Sequence, residues 1–242
     1  MTTATELAPG LAIQGFTAPL SLSQFKLIAF DMDSTLISIE CIDEIADAVG
    51  RKSEVAAITE AAMRGEITDF KDSLRRRLAL LKGVTLADME RVYSERLKIN
   101  PGAAELIAAC QKAGMKVLLV SGGFTFFADR VKDRLKIDFA RSNRLEVIHG
   151  ELTGGLVMQS WGDICDGAEK RRTLLEVASL LGIEPHECIA MGDGANDLPM
   201  MGACSDAGGL SVAYHAKPKV REQAMVAIHE GGLDRLLEVV KP

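Results

Sequence analysis

At 242 residues with 48% hydrophobic content and no skew in Pro or Gly, the chain is long enough for one large domain, or a core domain with an insertion, around a substantial buried core. Its formal charge of −6 argues against a general nucleic-acid binder, because phosphate backbones are met by basic patches; an anionic small substrate then needs local help, most simply a bound cation. The five cysteines, Cys41, Cys110, Cys165, Cys188 and Cys204, are odd in number and never at C-x-x-C spacing, so neither a disulfide framework nor a zinc site is indicated and a reducing cytoplasm fits. No apolar run approaches a membrane span, and the N-terminus lacks the basic and apolar regions of a signal peptide.

In chain order, Met1 to Gln24 reads as a loosely packed lead-in. Leu27 to Phe30 is a short apolar run, the mark of a strand buried on both faces of a parallel sheet, and it stops at Asp31 and Asp33. The pattern then turns helical for about sixty residues. Ile42, Ile45, Ala46 and Val49 form one face up to Gly50, Ser53 is a candidate cap for a second helix, and Thr68 for a third. On that third helix Phe70, Leu74, Leu78 and Leu81 make an inward stripe, and Arg77 falls about 20° from Phe70 at 100° per residue. A fourth helix capped at Thr85 ends at Asn100-Pro101-Gly102, so an all-helical insert spans roughly 37–100.

Helix and strand then alternate as in a doubly wound sheet. A helix opened by Pro101 and ended by Gly114 precedes a buried strand from Lys116 to Val120, which stops at Ser121-Gly122-Gly123. A helix from about Phe124 to Leu135 follows, then a small hairpin between Arg144 and Met158 turning at His149-Gly150. Lys170 opens a helix running to Gly182, and Cys188 to Met191 is a third buried strand ending in Gly192-Asp193-Gly194-Ala195-Asn196-Asp197. Leu210 to Tyr214 is a candidate fourth strand and Leu233 to Val240 a closing helix. The fold class is therefore α/β, a doubly wound Rossmann-like parallel sheet (26–36 and 101–242) with an inserted all-helical unit at 37–100.

Three apolar strands end in Asp31, Ser121 and Asp193, and open parallel sheets bind ligands outside the carboxyl ends of their strands. Alone, Ser121 is a helix cap, Asp193 a turn residue and Lys170 a solvated lysine. Their common placement with Asp31 points to one site. A carboxylate there can attack phosphorus, and a second can trade protons with the leaving oxygen and with water. Acid-rich oxygen ligands without histidine suit Mg²⁺; His149, His186, His215 and His229 have no ligand spacing.

These motifs, DMDST at 31–35, VSGG at 120–123, Lys170 and GDGANDLPM at 192–200, resemble the four motifs of the haloacid dehalogenase superfamily of phosphohydrolases. Within it the chain most resembles the branch acting on O-phosphoserine. The resemblance implies Asp31 as nucleophile, Asp33 as general acid and base, and Mg²⁺ held by Asp31, Asp33, Asp193 and Asp197. It implies Ser121, Gly122 and Lys170 around the phosphoryl oxygens with Asn196 beside them, and an insert that closes as a cap. There it implies Glu40 for the substrate amino group and Arg77 for its carboxylate, with Met63 and Phe70 packing nearby. A small-molecule substrate, hydrolysis through an aspartyl phosphate, and a monomer or homodimer with no nucleic-acid or membrane partner follow as expectations. The rivals are a phosphotransferase delivering the phosphoryl group to homoserine, and a phospho-accepting signalling module. The latter needs neither Asp33 in its role nor a helical cap.

Overall fold

The computed structural model describes residues 4–64 and 66–241, apart from the side chain of Met63. Its strands are β1 (Thr5–Ala8), β2 (Leu11–Ile13), β3 (Leu20–Ser21), β4 (Leu27–Phe30), β5 (Lys116–Phe124), β6 (Phe139–Ile148), β7 (Glu151–Val157), β8 (Cys188–Gly192), β9 (Leu210–Tyr214), β10 (Val226–Ile228) and β11 (Val240–Lys241). The helices are α1 (Cys41–Ala48), α2 (Lys52–Met63), α3 (Phe70–Ala79), α4 (Leu86–Arg91), α5 (Ala103–Lys112), α6 (Thr125–Leu135), α7 (Gly167–Leu181), α8 (Leu198–Ser205), α9 (Pro218–Gln223) and α10 (Leu236–Val239).

Among the described residues the main sheet has nine strands in the order β1-β2-β10-β9-β8-β4-β5-β6-β7, and the run from β10 to β6 is parallel throughout. The reason is visible in β4, whose four residues are all buried. Ile28 and Phe30 join the core on one face of the sheet, whereas Leu27 and Ala29 join the other, against Leu174, Val177 and Ala178 of α7. An apolar run with period-two alternation can bury both faces only when helices cover both. Phe30 lies opposite Leu119 of β5 and Met191 of β8, so Asp31, Ser121 and Asp193 emerge at one edge. Chain order also reverses about β4, and such a switch point opens a crevice at the strand ends.

The helical insert leaves the core after β4 and returns before α5, and its two crossings are neighbours. Ile37 and Ile99 form an antiparallel bridge, and the Asn100 side chain donates to the carbonyls of Thr35 (2.7 Å) and Ile37 (3.1 Å). The β6–β7 hairpin reaches over to brace the insert: the Gly83 N–H donates to Leu152 O at 2.8 Å, and Leu152 N–H returns the bond to Val84 O at 2.8 Å. Gly154, at φ +87°, lies so near α3 that a Cβ would come within 3.2 Å of the Leu78 carbonyl oxygen. Beside that contact Lys71 and Arg75 of α3 pair with Asp163 at 2.9 and 2.6 Å.

Several expectations change. Residues 5–13 are not a loose lead-in: β2 pairs with β10, an unforeseen strand, and buries Leu11, while Leu22 and Phe25 also enter the core. Ser53 lies inside α2 rather than capping it, and Asp69 rather than Thr68 caps α3, accepting the Lys71 N–H at 2.9 Å. Thr85 caps α4 as expected, in a reciprocal box with Asp88. The closing helix is two short turns, and Val240 instead pairs with Leu20 in a second, two-stranded sheet.

Candidate active site

The site is built from the sheet edge outward. Asp31, buried directly after β4, donates its backbone N–H to Met191 O at 3.0 Å, which ties the β4 turn to β8. The ammonium of Lys170, fully buried in the first turn of α7, lies 2.6 Å from Asp31 Oδ1 and 2.6 Å from Asp197 Oδ1. Burial opposes the lysine charge, but Asp197 and Asp31 outweigh it and raise Lys170 above its ordinary value. Burial, then Asp197, drives the Asp31 carboxyl well above its usual range against the pull of Lys170.

Asp33 sits on a tight turn whose Ser34 has φ +56°. That turn aims Asp33 Oδ1 at the N-terminus of α1, where it accepts the Cys41 N–H at 3.1 Å. Burial raises Asp33 above its ordinary value although the Cys41 bond lowers it, as suits a carboxyl that gives and takes a proton. Gly123 faces it so closely that a Cβ there would stand 2.5 Å from Asp33 Oδ2.

Asp31, Asp193 and Asp197 each bring a carboxylate oxygen into a group within 4.8 Å, and Asp33 is not among them. Asp33 was expected with the metal ligands; its carboxylate stands outside this group, with Oδ1 on the Cys41 N–H. Asp197, fully buried, uses Oδ2 to accept the N–H groups of Asp193 (3.2 Å) and Gly194 (3.0 Å). Burial, then Asp197 and Glu40, pushes Asp193 up to about 7. Three hard oxygen donors with one ammonium between them leave excess buried negative charge, and a divalent cation fits that donor set.

Over this edge opens a cleft of about 430 Å³, lined on the sheet side by Asp31, Asp33, Gly122, Gly123, Asp193 and Asn196 and on the insert side by Glu40, Asp43, Phe70 and Arg77. Phe70, Leu74 and Arg77 share the α3 face that the spacing indicated. Arg77 is half-buried; its Nε donates only weakly, to Ser73 O at 3.4 Å, and desolvation lowers it although Asp43 and Glu40 pull the other way. Glu40 accepts the Ser34 hydroxyl at 2.6 Å. Its side chain reaches solvent, yet surrounding protein atoms displace enough water, with Asp33 nearby, to push it up to about 7.

Ser121 and Lys170 are enclosed behind the cleft wall, and Ser121 Oγ accepts the Gly123 N–H at 2.8 Å. The side chain of Met63, at the end of α2, lies outside the described residues. Sequence reasoning passed over Gly123, although it stands in the SGG run, and over Lys217, which lines the cleft from beyond β9. It also passed over Asn143 of β6, fully buried, which donates to Gly122 O at 2.7 Å and accepts the Cys165 N–H at 2.8 Å. No local pattern marks that residue; its role follows from β6 lying beside β5.

The model of the haloacid dehalogenase-like hydrolases matches residues 28–202. A phosphoserine phosphatase of Polaromonas sp. is 70% identical over 237 residues, which cover 98% of this chain and 99% of that protein. One from Albidiferax ferrireducens is 69% identical over 238 residues, again 98% of this chain and 99% of the other. Among solved structures, a substrate-bound phosphoserine phosphatase complex superposes with a TM-score of 0.80 at 38% identity, over 90% of this chain and 99% of that one.

Proposed function

The chain belongs to the haloacid dehalogenase-like hydrolases, and from that premise we infer that it is an enzyme hydrolysing O-phosphoserine to serine and inorganic phosphate. The observation that carries the reading is one cleft with two chemistries: Asp31 and Asp33 on the sheet edge, and Glu40 and Arg77 facing them from the insert.

In this reading Asp31 attacks phosphorus and becomes an aspartyl phosphate, while Asp33 gives its proton to the departing serine oxygen. Asp33 then takes a proton from water, whose oxygen attacks the acyl phosphate and regenerates Asp31 with release of phosphate. Lys170 holds Asp31 in place and offsets its repulsion with the incoming dianion. Ser121, Gly122 and Asn196 border the phosphoryl oxygens. A divalent cation, taken as Mg²⁺ and held by Asp31, Asp193 and Asp197, supplies charge neutralisation and orientation of the phosphoryl group. The planar guanidinium of Arg77 takes the substrate carboxylate in a bidentate grip, Glu40 takes the ammonium, and Phe70 packs beside them. The helices between Ile37 and Asn100 then act as a cap domain over a core of 26–36 and 101–242, closing against water and opening for release. Among the described residues no helix is long and apolar enough to cross a membrane, and a cytoplasmic setting suits the five buried free cysteines.

Phosphate release from O-phospho-L-serine, with and without Mg²⁺ and beside an aryl phosphate, tests this reading. Release should require the cation, vanish in Asp31→Asn, and weaken in Arg77→Ala for the amino-acid ester only. Release from the aryl phosphate alone would keep the chemistry and sink the substrate. Dependence on added homoserine would mark a phosphotransferase.

A further inference from the structure

Among the described residues the one buried side-chain polar atom without a hydrogen-bond partner is Asp43 Oδ1. An acceptor removed from water and left unpaired costs about 1–3 kcal/mol, and such an atom in a folded protein calls for a reason. Asp43 lines the cleft with Glu40 and Arg77. It follows Glu40 by three positions, Glu40 being the cap of α1 and Asp43 lying in its first turn, and that spacing puts both carboxylates on one side of the helix.

The neighbours of Asp43 leave it without a protein donor. The Arg77 charge attracts Asp43 across the cleft, but among the described residues the guanidinium forms no salt bridge with it and donates only to Ser73 O. Lys52 turns to Asp47, at 3.8 Å. A primary ammonium carries three N–H donors and no acceptor, so its recognition needs several acceptors. Glu40 has already committed Oε1 to the Ser34 hydroxyl.

We propose that Asp43 is a specificity residue for the amino end of the substrate, its unpartnered Oδ1 accepting a hydrogen bond from the ammonium beside Glu40. This rests on the phosphoserine reading and adds to it. Glu40 and Asp43 together give the ammonium two carboxylates, whereas Arg77 alone serves the carboxylate. The cleft thereby rejects an ester with a hydroxyl in place of the amine, because both acids would remain desolvated without a charge to meet.

The test is Asp43→Asn in the Mg²⁺-loaded full chain, which keeps shape and removes charge. The readouts are KM for O-phosphoserine and competitive Ki values for O-phosphoethanolamine, which lacks the carboxylate, and for 2-hydroxy-3-phosphopropionate, which lacks the amine. Both amine-bearing ligands should lose about ten- to a hundredfold in affinity relative to the hydroxy acid, as befits a charge-assisted bond. Equal losses for all three, or no loss, would overturn the proposal. Losses confined to the two carboxylate-bearing ligands would also overturn it, by assigning Asp43 to the support of Arg77. Should Asp43→Asn not fold, Asp43→Ser is read by the same ratio. If the wild type does not hydrolyse phosphoserine, the function fails; if it does and the ratio stays fixed, only the role of Asp43 fails.

Discussion

Asn143 shows how one buried amide can hold two parts of a site in register. Its side chain joins the Gly122 carbonyl on β5 to the Cys165 N–H ahead of α7, the helix that carries Lys170. Asn143→Ala leaves the Cys165 N–H buried and unpaired and takes a partner from the part-buried Gly122 carbonyl, so urea unfolding should show a loss of about 1–3 kcal/mol by the usual cost of such groups. Turnover of phosphoserine should fall with it. Gly123→Ala acts more locally: its methyl would press on Asp33 Oδ2, so kcat should drop by about a hundredfold or more, the worth of a positioned acid and base. A near-normal kcat in that variant would take Asp33 out of the proton transfers. At this scale the sequence disclosed what carries a motif. Asp31, Asp193 and Asp197 stood in the DMDST and GDGAND turns, where an apolar run breaks off into acids and small residues. Asn143 stood in an ordinary strand, Arg-Ser-Asn-Arg-Leu, and only the pairing of β6 with β5 gives its amide partners.

At the scale of elements, the hairpin is the part that fixes the insert. Its β7 strand rests on α3 at Gly154 and exchanges backbone hydrogen bonds with the Gly83–Val84 loop, while α3 carries Phe70 and Arg77 into the cleft. Gly154→Val adds a left-handed strain of about 1–2 kcal/mol to a clash with the α3 backbone. Thermal unfolding should come several degrees lower, at about 2–4 °C per kcal/mol for a chain of this length. KM for phosphoserine should rise while aryl phosphate turnover persists; equal effects on both would place the hairpin outside substrate recognition. Periodicity revealed β4, β5, β8 and β9 because buried parallel strands are continuous apolar runs. It missed β10, a three-residue strand whose short run says little, and the β1–β2 edge, whose polar outer residues resemble a loop. The cap of α3 moved by one position, since neighbouring Thr68 and Asp69 compete for the same role, whereas α2 begins behind Arg51 with no side-chain cap at all.

For the whole molecule, the acidic edge sets fold stability against cation binding. Asp193 titrates at about 7 in the folded chain against about 4 when unfolded. The folded state therefore binds more protons across that interval, and the stability of the cation-free protein falls as pH rises from about 4 to about 7. Asp193→Asn should flatten that fall and unfold at a higher temperature than cation-free wild type at pH 8, while losing activity. Cation binding must displace the same protons, so calorimetry at pH 6.5 should show proton release and tighter binding as pH rises. An affinity independent of pH would separate Asp193 from the cation. The paired crossings at Ile37 and Ile99 have a different consequence. Since the insert departs and returns through one antiparallel bridge, the chain between them is a loop on a closed stem, and another sequence can be spliced there without rethreading any strand. If Glu40 and Arg77 read the substrate as proposed, swapping 38–98 among relatives that keep the α1 N-terminus beside Asp33 should transplant substrate preference while leaving the phosphorus chemistry to its owner.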